Sequence, residues 1–100
     1  MDKKEILKQL GDIPESVYDE IVLGFYDETR SRLKLISEAI DSSNWSVIDK
    51  LAHSIKGSSA NLRLISIQKI AESLQEAVRL NNHELIKENF ENLKTLVPSV

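Results

Sequence analysis

Residues Trp45 to Leu62 read W-S-V-I-D-K-L-A-H-S-I-K-G-S-S-A-N-L. Ile48, Leu51, Ala52, Ile55, Ser59 and Leu62 recur at steps of three and four, the spacing that lines one face of an α-helix. At about 100° per residue, His53 falls roughly 150° from the centre of that stripe, on the polar side. The stretch predicts an amphipathic helix from near Trp45 to about Leu62, with a core on one face and a histidine on the other. Asp41-Ser42-Ser43-Asn44, just before it, reads as a polar connection ending in an N-cap.

The same period extends in both directions. Upstream, Val17, Ile21, Phe25, Thr29, Leu33, Ile36 and Ile40, widened by Tyr18, Val22 and Ala39, predict the longest helix. It has Pro14 at its first position and runs to about Asp41. Asp2 caps a short leading helix through about Leu10, with Ile6, Leu7 and Leu10 on one side and Gly11 as its stop. Downstream, Ser66 is the expected cap of a helix that turns Ile67, Ile70, Ala71, Leu74 and Val78 inward. Asn81-Asn82 breaks that pattern, and Leu85, Ile86, Phe90, Leu93 and Val97 define a last helix stopped by Pro98. Short connections between amphipathic helices favour antiparallel neighbours. The expected fold is all-α, an antiparallel up-down four-helix bundle with a short additional N-terminal helix. No repeat or linker interrupts the chain, so one domain over 1–100 is expected.

Composition narrows the function classes. With 41% hydrophobic and 29% charged residues in 100, the chain suits one globular core and is too apolar for disorder. Three glycines and two prolines argue against a turn-rich β fold. The net charge of −3 and the lack of a basic run speak against nucleic acid and anionic membrane as partners. There is no cysteine for a disulfide or a thiolate metal site. No apolar run spans a bilayer and no signal peptide is visible, so a cytoplasmic address is expected; the chain is also expected to be a monomer.

The chemistry gathers around His53. A lone histidine is often a satisfied core residue, which its angle opposes, or an idle surface residue, which its neighbours must decide. Helical side chains lean toward the N-terminus, so the residue covering His53 is Gly57. A glycine inside a helix costs about 1 kcal/mol against alanine, leaving two explanations: close helix–helix contact, or an imidazole kept accessible. Lys56, alone an ordinary solvated charge, lies within reach of an anion on the ring. A phosphoryl group there would add about two negative charges and three acceptor oxygens. Asp49, four residues before His53, is a candidate to orient the ring by accepting its other N–H, though it would also repel a phosphate.

His53-x-x-Lys56-Gly57-Ser58-Ser59-x-Asn61-Leu62 resembles the signature of histidine phosphotransfer (HPt) domains of two-component phosphorelays. It is similar also to the phosphoacceptor domain of chemotaxis histidine kinases. The resemblance implies that His53 accepts a phosphoryl group from a receiver-domain aspartyl phosphate and passes it to another receiver, with Lys56 steadying the phosphate. Gly57, Ser58 and Ala60 would flank the site and let a partner lie close. Family spacing lands a further Gln and Arg on Gln75 and Arg79, which otherwise read as ordinary surface polars. Partners would be receiver domains of response regulators or hybrid histidine kinases. No cofactor of its own is expected, Mg2+ being supplied by the partner receiver. Arg63 departs from the family pattern, which usually has Gly there; a side chain at that point could hold the next helix off or add a charge beside the docking face.

Other chemistries find little support. Gly11, Gly24 and Gly57 are too far apart to form a phosphate-cradling loop. His53 and His83 do not make a metal motif, and no strand–turn–helix elbow presents Ser54, Ser58 or Ser59 as a nucleophile. Two rivals stay open: a kinase phosphoacceptor domain labelled by a separate ATP-binding domain, and an adaptor bundle that carries no phosphate.

Overall fold

The computed structural model describes residues 2–99; Met1 and Val100, the ends of the expected 1–100 unit, lie outside the described residues. Five helices carry the fold: α1 (Lys3–Gln9), α2 (Glu15–Asp41), α3 (Trp45–Asn61), α4 (Ile65–Arg79) and α5 (His83–Leu96). Among the described residues there is no strand, and no helix is long and apolar enough to cross a membrane. The 27 residues of α2 account for the 42 Å long dimension of the molecule, since each adds about 1.5 Å.

α3 packs on α2 and α4, and α5 packs on α4 and α2. Each of the four longer helices contributes to one core. Ile36 of α2, Ile48 and Ile55 of α3, Leu74 of α4, and Ile86 and Leu93 of α5 are fully buried. Truncating one of them, as in Leu74→Ala, would cost about 2–5 kcal/mol in lost transfer energy and an unfilled cavity. Ser59 and Asn89 sit in this core because each bonds within its own helix. The Ser59 hydroxyl donates to the Ile55 carbonyl at 2.6 Å, and Asn89 Nδ2 donates to the Leu85 carbonyl at 3.0 Å.

The first four helices end in the same way. The residue after each C-cap takes a left-handed conformation: Gly11 (φ 90°), Ser43 (55°), Arg63 (62°) and Asn81 (55°). Its N–H and the next one then bond back to the last turn. At the end of α2 these bonds run from Ser43 to the Ile40 carbonyl (3.2 Å) and from Asn44 to the Ala39 carbonyl (2.8 Å). At the end of α3 they run from Arg63 to Ala60 (3.1 Å) and from Leu64 to Ser59 (2.9 Å). This is the Schellman arrangement, which satisfies carbonyls that a helix end otherwise orphans. The second residue of each later pair, Asn44, Leu64 or Asn82, is already the N-cap of the next helix.

That economy corrects the expected start of α4. Ser66 does not cap it; α4 begins at Ile65 behind Leu64, which has no capping side chain. The Leu64 N–H is bonded back to α3, and its carbonyl accepts from Gln68 at 3.0 Å, so the new helix opens at once. Pro14 likewise sits just before α2 as its N-cap.

The N-terminal end of α2 differs more. Val17 and Ile21, expected inward, are 41% and 47% exposed, while Tyr18 is buried. Stepping back from Phe25 by fours rotates off the face, placing Val17 about 80° away, whereas Tyr18 at a step of seven stays within about 20°. The inward row is Tyr18, Val22, Phe25, Thr29, Leu33 and Ile36.

Candidate functional site

α3 buries Ile48, Ala52, Ile55 and Ser59, and its opposite face presents His53 to solvent. Lys56 is half-buried and Gly57 is exposed. A β-carbon built on Gly57 meets nothing within 4 Å, so no neighbouring helix requires a glycine there. The space over Gly57 is open. Ser58 and Ala60 are half-buried. Ser58 lines a groove of about 330 Å³ with Ile21, Gly24 and Phe25 of α2 and with Asn61 and Leu62. The two apolar residues that rotate out of the core on α2 therefore flank the same side of the molecule as this groove, Ile21 lining it directly.

From α4, Gln75 reaches α3 at the turn beneath His53. Its Nε2 donates to the Asp49 carboxylate at 3.1 Å and lies 3.4 Å from the Asp49 main-chain oxygen. In an α-helix that main-chain oxygen is the one that accepts the N–H of residue 53. Asp49 Oδ1 thus has a hydrogen-bond donor in Gln75 of α4. Arg79 pairs with Glu76 on its own helix at 3.0 Å and is 72% exposed. The structure brings Gln75 to the His53 turn and leaves Arg79 on the surface.

Lys50, three residues before His53, was not singled out from the sequence, although it has the same helical separation as Lys56. It is exposed. The ion pairs among the described residues engage neither Lys50 nor Lys56. Along α3, His53 therefore has a lysine one turn to either side, and the acidic residue of its own turn is tethered to α4.

The departure at Arg63 has a structural account. Its left-handed backbone is the conformation that favours glycine. Its guanidinium bridges the Ala60 and Asn61 carbonyls through Nη1 (3.1 and 3.0 Å) and donates through Nε to Gln9 at 3.0 Å. A cation at the negative end of α3 is favourable, and the bond to Gln9 ties α1 down beside the α3–α4 turn.

The second histidine is differently placed. The His83 ring stacks on Trp45 with centroids 4.3 Å apart and contacts Asn81 Oδ1 at 3.1 Å. Among the described residues no three His, Asp or Glu side chains gather to hold a metal. What the site offers is an accessible nitrogen nucleophile beside cations, with room for an approaching group.

No curated protein and no solved structure gives a significant match to the chain. The family model described as Hpt domain matches residues 20–100, which take in most of α2 and all of α3, α4 and α5. An exposed histidine on a helix of an all-α core, within a match covering four-fifths of the sequence, places this chain in the Hpt domain family, whose members carry out histidine phosphotransfer in two-component signalling and interact with receiver domains.

Proposed function

We propose that the chain is a phosphorelay intermediate in which His53 takes a phosphoryl group from the aspartyl phosphate of one receiver domain and delivers it to another. The observation that carries this reading is the exposed His53 with empty space at Gly57. In the uptake step the lone pair of a ring nitrogen forms the N–P bond. The aspartyl O–P bond breaks with its electron pair left on the carboxylate, and the other ring nitrogen holds its proton until solvent takes it. Lys56 neutralises charge on the transferred group. Gly57, Ser58 and Ala60 leave room for the receiver, and the exposed Val17 and Ile21 give it apolar surface to rest on. Gln75 supports the His53 turn through Asp49, while Arg79 stands further along the same face of α4 as a contact for the partner.

Catalysis of this kind is mostly positioning and charge stabilisation. We assign Mg2+ and the in-line geometry to the receiver and no cofactor to this chain. The same reading takes residues 1–100 as one monomeric domain, an antiparallel up-down four-helix bundle preceded by α1, working in the cytoplasm.

The test is incubation with a receiver domain phosphorylated on its aspartate. Acid-labile, alkali-stable label should appear on the chain, vanish in His53→Gln and chase onto a second, unlabelled receiver. Label that arises faster from a kinase ATP-binding domain than from any receiver would make the chain a kinase phosphoacceptor domain instead. No label from either donor would leave an adaptor bundle.

A further inference from the structure

We propose that Lys50 is a second phosphate-contacting cation of the site, so that the phosphoryl group on His53 is held between Lys50 and Lys56. The inference rests on the phosphotransfer reading and extends it to a residue outside the ten-residue motif.

Three observations combine. Lys50 and Lys56 stand three residues either side of His53, each about 60° around and about 4.5 Å along the helix axis from it. The two positions are not equivalent, because helical side chains lean toward the N-terminus. Lys56 leans back over His53, and the His53 ring itself leans over the turn that holds Asp49 and Lys50. A phosphoryl group on the outer nitrogen is therefore carried toward Lys50. Second, Lys50 is exposed and engaged by no carboxylate among the described residues, so its ammonium is available when the anion arrives. Third, the anion of this turn is held in place: the Asp49 carboxylate keeps its charge but is bonded across to Gln75 of α4. Were Asp49 turned to solvent, it would attract Lys50 and repel the phosphate. With Gln75 drawing Asp49 toward α4, lysines stand one turn to either side of the ring in a chain whose net charge is −3.

The experiment uses the full chain labelled with phosphoramidate, which transfers its phosphoryl group to an imidazole nitrogen and releases ammonia, so that no receiver is needed. The phosphorus NMR signal of phospho-His53 is followed against pH in the native chain, Lys50→Gln, Lys50→Arg and Lys56→Gln. Lys50→Gln should raise the pH at which the phosphoryl group loses its last proton, as Lys56→Gln does, and Lys50→Arg should restore it. Phosphoryl uptake by Lys50→Gln from a phosphorylated receiver should slow about three- to tenfold, with the difference shrinking at about 0.5 M salt. A Lys50→Gln titration that overlays the native one while Lys56→Gln shifts would overturn the role of Lys50 and leave the relay intact. Labelling by phosphoramidate with no exchange to or from any receiver would sink the relay while leaving the titration readable. A His53 that phosphoramidate does not label would overturn both.

Discussion

The Tyr18 hydroxyl donates to the main-chain oxygen of Leu62 at 2.6 Å, joining the start of α2 to the C-cap of the helix that bears His53. The two residues are 44 positions apart, and the bond fills a carbonyl at the point where α3 turns into α4. Tyr18→Phe should cost about 1 kcal/mol. Burial, the leading cause, pushes the Tyr18 pKa above its ordinary value near 10. The unfolded chain therefore ionises this phenol first, and the stability it contributes below about pH 10 is lost as pH rises through the raised pKa. Denaturant midpoints between neutral and alkaline pH should fall in the native chain and fall less in Tyr18→Phe. Parallel curves would count against the contact.

Gly57 sits in a helix with open space beside it. Gly57→Ala should therefore raise stability by about 0.5–1 kcal/mol by restricting the unfolded chain. Gly57→Leu should also fold, yet slow phosphoryl transfer by about tenfold or more, since leucine would shield the ring. Circular dichroism melts and transfer rates measured together separate the effects; an unfolded Gly57→Leu would mean the position serves packing.

Arg63 combines an unfavourable backbone with three favourable side-chain bonds. Arg63→Ala keeps the left-handed conformation and loses the bonds, so it should cost about 1–2 kcal/mol. Arg63→Gly loses the bonds and relieves the strain, leaving stability within about 0.5 kcal/mol of native. Urea titrations of the pair test this; equal losses would show that the backbone conformation carries no strain.

Thr29 is fully buried in the middle of α2, and its hydroxyl has no partner among the described residues. An unsatisfied hydroxyl in a core weakens it by about 1 kcal/mol. Thr29→Val keeps the branched shape, removes the polar atom and should raise the melting temperature by several degrees. A lower melting temperature would point to a bond that the hydroxyl makes after all.

The Gln75–Asp49 bond illustrates what spacing along one helix cannot tell. Helical periodicity placed Asp49 on the His53 side, but whether its carboxylate serves the ring depends on which residue of α4 arrives opposite. Exposure of Val17 and Ile21 is a similar case: their apolar character fits a core stripe, and only the angular drift of a straight helix against its neighbours turned Tyr18 inward instead. The ends of α2 and α3 were readable from the pattern, but the left-handed turns at Ser43 and Arg63 were not, because positions usually announced by glycine are filled by other residues.

Local physics was enough for the five helices, most of their inward faces, and a histidine beside a lysine and a glycine on a polar face. These follow from a 3.6-residue period and from side-chain chemistry, both of which are properties of short stretches. The partner of Asp49, the tether from Tyr18 to Leu62, the bridge from Arg63 to Gln9 and the emptiness beside Gly57 were decided by tertiary structure. Each depends on how separate helices rotate and slide against one another, a property that only the packed core sets.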